Sequence, residues 1–143
     1  MNIRIMTIHD YEPVYSLWLS TPNMGLNDLD DSKAGIAKYL ARNPNTCFVA
    51  EKDGVIVGVI LSGHDGRRGY IHHAVVAENQ QRQGVGTSLV NAAMVAFELE
   101  GIHKTALVVF AKNEKGNVFW EKRGFISRPD LIYRNKAMVC ARS

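Results

Sequence analysis

Ala74-Val75-Val76-Ala77-Glu78-Asn79-Gln80-Gln81-Arg82-Gln83-Gly84-Val85-Gly86-Thr87-Ser88-Leu89-Val90 is the run that decides the fold. A β-branched stretch ends at Val76, a polar loop follows, and Gly84 and Gly86 open an amphipathic segment rich in helix formers, so the run reads strand, loop, helix. Such a junction is a phosphate cradle. Its glycines let the backbone come close to a ligand, and the free N–H groups of the first helical turn attract an anion without any side-chain charge. Arg82 adds a charge-assisted contact. Glycines also start and pack helices for structural reasons alone, and this stretch by itself fits both readings.

Two familiar phosphate motifs are excluded. A dinucleotide-binding fingerprint reads Gly-x-Gly-x-x-Gly, and Leu89 occupies the place of its third glycine. A P-loop needs Gly-Lys-Ser/Thr, which is absent. What remains, Gln81-Arg82-Gln83-Gly84-Val85-Gly86, resembles the coenzyme A pyrophosphate loop Gln/Arg-x-x-Gly-x-Gly/Ala of the GNAT (Gcn5-related) N-acetyltransferase superfamily. A second signature lies downstream. Asn113-Glu114-Lys115-Gly116-Asn117-Val118-Phe119-Trp120-Glu121-Lys122-Arg123-Gly124-Phe125 is similar to that family's Asn-x-x-Ala-x-x-Phe/Leu-Tyr-Glu-Lys-x-Gly-Phe, and the pair in this order is more specific than either alone.

The 143 residues, 46% of them hydrophobic, suffice for one compact domain with a real core, and no Pro/Gly/Ser-rich linker divides them. The formal charge of +3 comes from scattered basic residues, which suits an anionic cofactor but not nucleic acid, where a basic patch is expected. Met1 to Ile5 lacks the apolar core of a signal peptide, and the longest apolar run, Val55 to Leu61, is too short to span a bilayer. The expectation is a cytoplasmic protein. Cys47 and Cys140 have no disulfide or zinc spacing and read as buried or tail thiols, so no metal is expected.

Along the chain, Asn2 to Met6 alternates as a strand, and Val14, Leu17 and Trp18 have helical spacing between about Asp10 and Leu19, with Pro13 near the helix start. Ser20 to Asp31 is a loop. A second helix, capped by Asp31 or Ser32, carries Ile36, Tyr39 and Leu40 until Asn43-Pro44. Thr46 to Lys52 and Val55 to Ser62 form a hairpin through Asp53-Gly54, and Tyr70 to Val76 returns after the looser turn His64 to Arg68. The long helix ends near Glu100-Gly101. Thr105 to Phe110 reads as a strand and Lys115 to Lys122 as a short helix, with Gly124 to Ile126 and Leu131 to Val139 as last strands. A meander followed by a β-α-β crossover makes an α/β (α+β) mixed, mostly antiparallel sheet with helices on both faces. This order is similar to the GNAT acyl-CoA N-acyltransferase fold, which implies one N-acetyltransferase domain over 1–143 whose fourth and fifth strands part around the pantetheine arm.

The resemblance implies acetyl-CoA (coenzyme A) as cofactor, contacted by Ala74, Val75 and Val76, by the loop Gln81, Arg82, Gln83, Gly84, Val85, Gly86 and Thr87, and by Asn113 at the pantetheine amides. Asn113 also reads as an ordinary helix cap. Trp120 departs from the family's Tyr, which protonates the leaving thiolate; an indole N–H is no acid, so Trp120 reads as packing, with Tyr70 and Tyr133 as substitute donors. An alkylammonium of pKa about 10 is only about a thousandth neutral at about pH 7, so the site must help remove its proton. His72 and His73 precede Ala74, and alternation sends them to opposite faces unless a bulge intervenes. His72 is the catalytic candidate: imidazole titrates near neutrality, and the position looks like the relay histidine of the serotonin-acetylating members. An ordinary strand histidine is the competing reading. A backbone N–H near Val75 or Val76 would polarise the carbonyl.

Asp28, Asp30 and Asp31, in the loop that overhangs the acceptor cleft of this fold, would attract a cationic amine, while Arg67 and Arg68 would suit a carboxylate. The expected activity is direct acetyl transfer in a ternary complex to a primary amine of a small molecule or peptide. Alternatives are a non-catalytic acyl-CoA sensor and a protein N-terminal or lysine acetyltransferase. Against the ribosomal-protein branch, Val108 stands where that branch has an acid. The partners are an amine acceptor and a possible homodimer, with neither nucleic acid nor membrane.

Overall fold

The computed structural model describes residues 1–139; Cys140 lies outside them. Strands β1 (Asn2–Ile5), β2 (Phe48–Lys52), β3 (Val55–His64), β4 (Gly69–Val76) and β5 (Thr105–Leu107) form a sheet in sequential order, antiparallel except for the parallel β4–β5 pair. Helices α1 (Tyr11–Leu19) and α2 (Lys33–Arg42) cover one face. The long helix α3 (Val85–Leu99) and α4 (Glu114–Lys122) lie on the other.

Each face is sealed by its own apolar cluster. Val14, Trp18, Ile36 and Leu40 meet Val49, Val59, Leu61 and Val75 on the α1/α2 side. Ala50, Ile60 and Ile71 meet Val85, Leu89, Ala93 and Phe97 on the α3 side, so β2 and β3 show the alternation of strands buried on both faces. Asp53 and Gly54 both take positive φ, 52° and 77°, as the two-residue turn requires. Ser32, not Asp31, caps α2: its Oγ accepts from the Gly35 amide at 3.0 Å.

Two sequence expectations fail. The fifth strand is only Thr105–Leu107, and its pairing with β4 covers Gly69 to Ile71. Gly124 to Ile126 and Leu131 to Val139 form no strand; Ile126, Leu131, Ile132, Tyr133, Met138 and Val139 are all exposed. Their apolar and β-branched content is strand-like, but a strand needs a partner edge, and three residues of β5 offer little ladder to extend.

Candidate functional site

The loop between β4 and α3 is built as a cradle. After Val76 the chain makes a short 3₁₀ turn (Glu78–Gln80), and Gln81 folds back so that its Nε2 donates to the Val76 carbonyl at 3.2 Å. Arg82 and Gly84 both adopt the left-handed backbone region, with φ of 65° and 81°. Alternation of this kind turns successive amides toward one concavity. At Gly84 a Cβ would meet nothing within 4 Å, so glycine is there for its backbone angle and the space beside it is open. Gly86 differs. A Cβ there would lie 3.1 Å from the Phe119 ring, so the missing side chain lets α4 close against α3. Beneath the turn, Gly58 of β3 lets α3 sit close, since its Cβ would come within 3.0 Å of Val85 and Leu89.

Sequence reasoning missed one cation at this cradle. Arg123 donates from Nε to Thr87 Oγ1 at 3.1 Å, and from Nη2 to the same oxygen. It also lies over the Phe119 ring, 4.1 Å from the centroid. Because the Thr87 oxygen accepts from arginine, its own O–H remains a donor for an anion at the helix start. The guanidinium adds positive charge beside the amides of Val85, Gly86 and Thr87. Only its place in the Lys-x-Gly-Phe run hints at Arg123, since a contact across 36 positions leaves no local pattern.

β4 continues to Val76, while β5 leaves it after Ile71. From His73 to Val76 the strand is paired with β3 on one edge and has no β5 partner on the other. Main-chain donors and acceptors on that side therefore face a gap opening at the cradle. Val75 is buried in the α1/α2 cluster, Ala74 is exposed and Val76 half-buried, so the contribution of all three to the gap is backbone. Asn113 caps α4, its Oδ1 accepting from the Gly116 amide at 3.0 Å, and the cap amide sits where a Gly116 Cβ would be. Trp120 stacks edge-on between Phe119 and Phe125, at 5.0 and 5.1 Å, which is a packing role.

A β-bulge settles the orientation of the two histidines. Leu61 pairs with His73 and Ser62 with Ile71, leaving His72 as the extra residue. Ile71 consequently joins the α3 cluster while Val75 joins the other, and both histidines lie on the α1/α2 side. His72 is exposed to solvent, its ring flanked by Tyr39 (5.3 Å) and Tyr70 (4.6 Å). Burial, and then the neighbouring His73, push its pKa below the ordinary imidazole value, outweighing Asp31 and Asp30. His72 is therefore neutral and able to take a proton at neutral pH. Tyr133 lies near Tyr70, whose phenol is raised first by burial and then by Tyr133.

His73 is held differently. Its Nε2 lies 2.9 Å from Asp31 Oδ1 and its ring 4.8 Å from Trp18; Asp31 is buried and His73 half-buried. Burial alone would raise Asp31, yet the bonds from His73 and the Asn27 amide (2.8 Å) hold it below the usual carboxylate range. Asp31 is thus ionised and only accepts, so Nε2 carries the hydrogen. Arg67 and Arg68 belong to a turn whose backbone closes on Asp65 and whose His64 binds Glu100 at 2.8 Å, beyond the last turn of α3. Among the described residues no group of three His, Cys, Asp or Glu side chains is placed to hold a metal, and no helix is long and apolar enough to cross a membrane.

Comparison with known proteins gives a consistent result. The model of the acetyltransferase (GNAT) family matches residues 11–125. An acetyltransferase of Pectobacterium atrosepticum is 30% identical over 139 residues, spanning 97% of this chain and 96% of its own. Among solved structures, Ard1 of Thermoplasma volcanium superposes with a TM-score of 0.78 at 24% identity, covering 87% of this chain and 82% of its own. The PaiA N-acetyltransferase of Thermoplasma acidophilum, in complex with coenzyme A, gives 0.75 at 16% identity, covering 85% and 87%.

Proposed function

Given that the chain belongs to the acetyltransferase (GNAT) family, we propose that it is a cytoplasmic, single-domain, acetyl-CoA-dependent N-acetyltransferase acting on a primary amine of a small molecule or peptide. One observation carries this reading: β4 loses its β5 partner after Ile71, directly ahead of a left-handed loop and the first turn of α3. The gap suits a slender arm bearing amides, and the cradle suits a diphosphate. Residues present fit that ligand: open space beside Gly84, the amides of Val85 to Thr87, the Thr87 hydroxyl, and the Arg82 and Arg123 cations. PaiA, a fold relative, is seen with coenzyme A.

When bound, acetyl-CoA supplies an activated thioester. Main-chain N–H groups of the unpaired β4 edge would hydrogen-bond the carbonyl oxygen, the kind of fixed dipole that stabilises charge developing there. His72, neutral and on the acceptor side, would take the ammonium proton so that the amine lone pair can attack. The N–C bond forms, the C–S bond breaks, and the thiolate leaves to be protonated by solvent. Trp120 takes no part in that last step. A small or peptidic amine that is cationic in solution is favoured by Asp30 and Asp31 beside His72.

The test follows thiol release from acetyl-CoA across a panel of amines and peptides, with coenzyme A binding measured by calorimetry. Amine-dependent thiol is expected. Tight binding with no amine-dependent thiol would identify a non-catalytic acyl-CoA sensor, the alternative that the missing tyrosine at Trp120 keeps open. Absence of coenzyme A binding would overturn both.

A further inference from the structure

The family reading uses His72 and leaves unexplained why the residue beside it is tied to a buried carboxylate. We propose that Asp31 and His73 form a positioning pair, in which the loop ahead of α2 anchors β4 at its bulge and so keeps His72 turned toward the acceptor side. This rests on the reading of His72 given above.

A buried carboxylate is costly unless its lone pairs are met. Asp31 meets them with the His73 Nε2–H and the Asn27 amide, and its own carbonyl accepts from the Tyr11 hydroxyl at 2.8 Å. Three segments therefore fix its position: α1 through Tyr11, the following loop through Asn27, and β4 through His73. Packing alone does not call for this arrangement, since a phenylalanine would fill the space against Trp18 equally well. The His73 ring nitrogen Nε2 is committed to the bond with Asp31. What the bond secures is register. An extra residue in one strand can be accommodated at neighbouring positions, and a slip of one residue exchanges the faces of the side chains it passes. Fixing His73 to the α1/α2 side leaves His72 as the unopposed residue and Ile71 in the opposite core. The groups around His72 are then Tyr39 from α2, Tyr70 and His73 from β4, Tyr133 beyond Tyr70, and Asp30 and Asp31 from the loop.

The experiment reads the imidazole signals by NMR in the free protein, where the rings of Tyr39 and Tyr70 displace the His72 carbon-bound proton resonances from their free positions. His73→Phe, which keeps the ring against Trp18 but cannot donate, is expected to move those resonances toward free-imidazole values while His64 and His103 signals stay in place. His73→Gln, whose amide can still donate to Asp31, is expected to keep them. Both variants remove the imidazole, so the contrast isolates the anchor. Asp31→Asn, with coenzyme A affinity as a folding control, repeats the test should His73→Phe fail to fold. Unmoved His72 resonances in His73→Phe, or equal displacement in Phe and Gln, would overturn the proposal. In turnover, His73→Phe is expected to cost roughly ten- to a hundredfold in kcat/KM, and nothing further in a His72→Ala background. Full rate in His72→Ala would instead overturn the base assignment, and the resonance test would still decide the anchor.

Discussion

The backbone at position 84 takes a φ of 81°, and a Cβ there would meet no neighbour, so the cost of any L side chain is conformational. Gly84→Val therefore costs about 1–2 kcal/mol locally, and the loop relieves it by turning its amides away from the concavity. Calorimetry should show coenzyme A affinity reduced at least about tenfold in a protein that still folds, the equivalent of about 1.4 kcal/mol. For His72, the lowered pKa places its neutral form at pH values from neutrality upward. His72→Ala should cut turnover roughly a hundredfold near pH 7 and far less near about pH 10, where the amine deprotonates unaided. Equal loss at both would remove the base role. Asp10 provides a stability test away from the site. Arg4 binds it through two bonds of 2.8 and 2.9 Å, and the Thr7 amide donates to it at 2.9 Å. Chiefly through Arg4, and against the opposing effect of burial, its pKa falls below the ordinary carboxylate value. The linked stability is present above the unfolded-chain pKa, about 4, and is lost as pH falls through the lower folded value. Denaturation of Asp10→Asn should show a loss of about 1–2 kcal/mol at neutral pH that shrinks as the solution is acidified below about pH 4.

Between elements, the decisive contact is α3 on β3. Gly58 has Val85, Leu89 and the Val75 carbonyl within 3.0 to 3.3 Å of where a Cβ would be, so Gly58→Val must lift the first turn of the helix. Overpacking of this kind costs about 1–3 kcal/mol, and thermal unfolding should record it together with weaker coenzyme A binding, because the lifted turn carries the cradle. Weaker stability with full affinity would show that the cradle moves independently of the sheet. Several elements were legible from local chemistry alone: Asp53-Gly54 specified its turn, Asn113 its cap, and Gly101, with φ of 75°, the end of α3. The bulge was not. A period-2 pattern carries no mark for an extra residue, and His72-His73 reads identically with or without one. The Asp31–His73 bond spans 42 positions, and its carboxylate sat among three acids that local pattern could not rank. At Gly86 the space a side chain would need is taken by Phe119; sequence shows that a glycine is needed, not which neighbour needs it.

Over the whole molecule, two apolar layers enclose one sheet, and Cys47 lies in the layer under α1 and α2. It is 1% exposed, its Sγ donates to the Ser62 carbonyl, and burial pushes its pKa up to about 12. In a Cys140→Ser variant, thiol reagents should therefore label Cys47 only at the rate at which the core opens, and not with the free-thiol rate. Fast labelling would mean that the α1/α2 layer detaches on its own. The overall order of elements followed from sequence periodicity, but the segment after α4 did not, because Leu131 to Val139 has strand composition without an edge to complete. The division of the site across the sheet has a consequence for how such a protein diversifies. Under the proposed function, one ligand would be met chiefly by peptide groups, whose chemistry is the same whatever residues bear them, with Thr87, Arg82 and Arg123 beside them, and the other by the individual identities of His72, Tyr39, Tyr70 and the loop acids. Selection can rewrite the second list one position at a time while the first stays constant, so a change of acceptor calls for no new scaffold and no new donor.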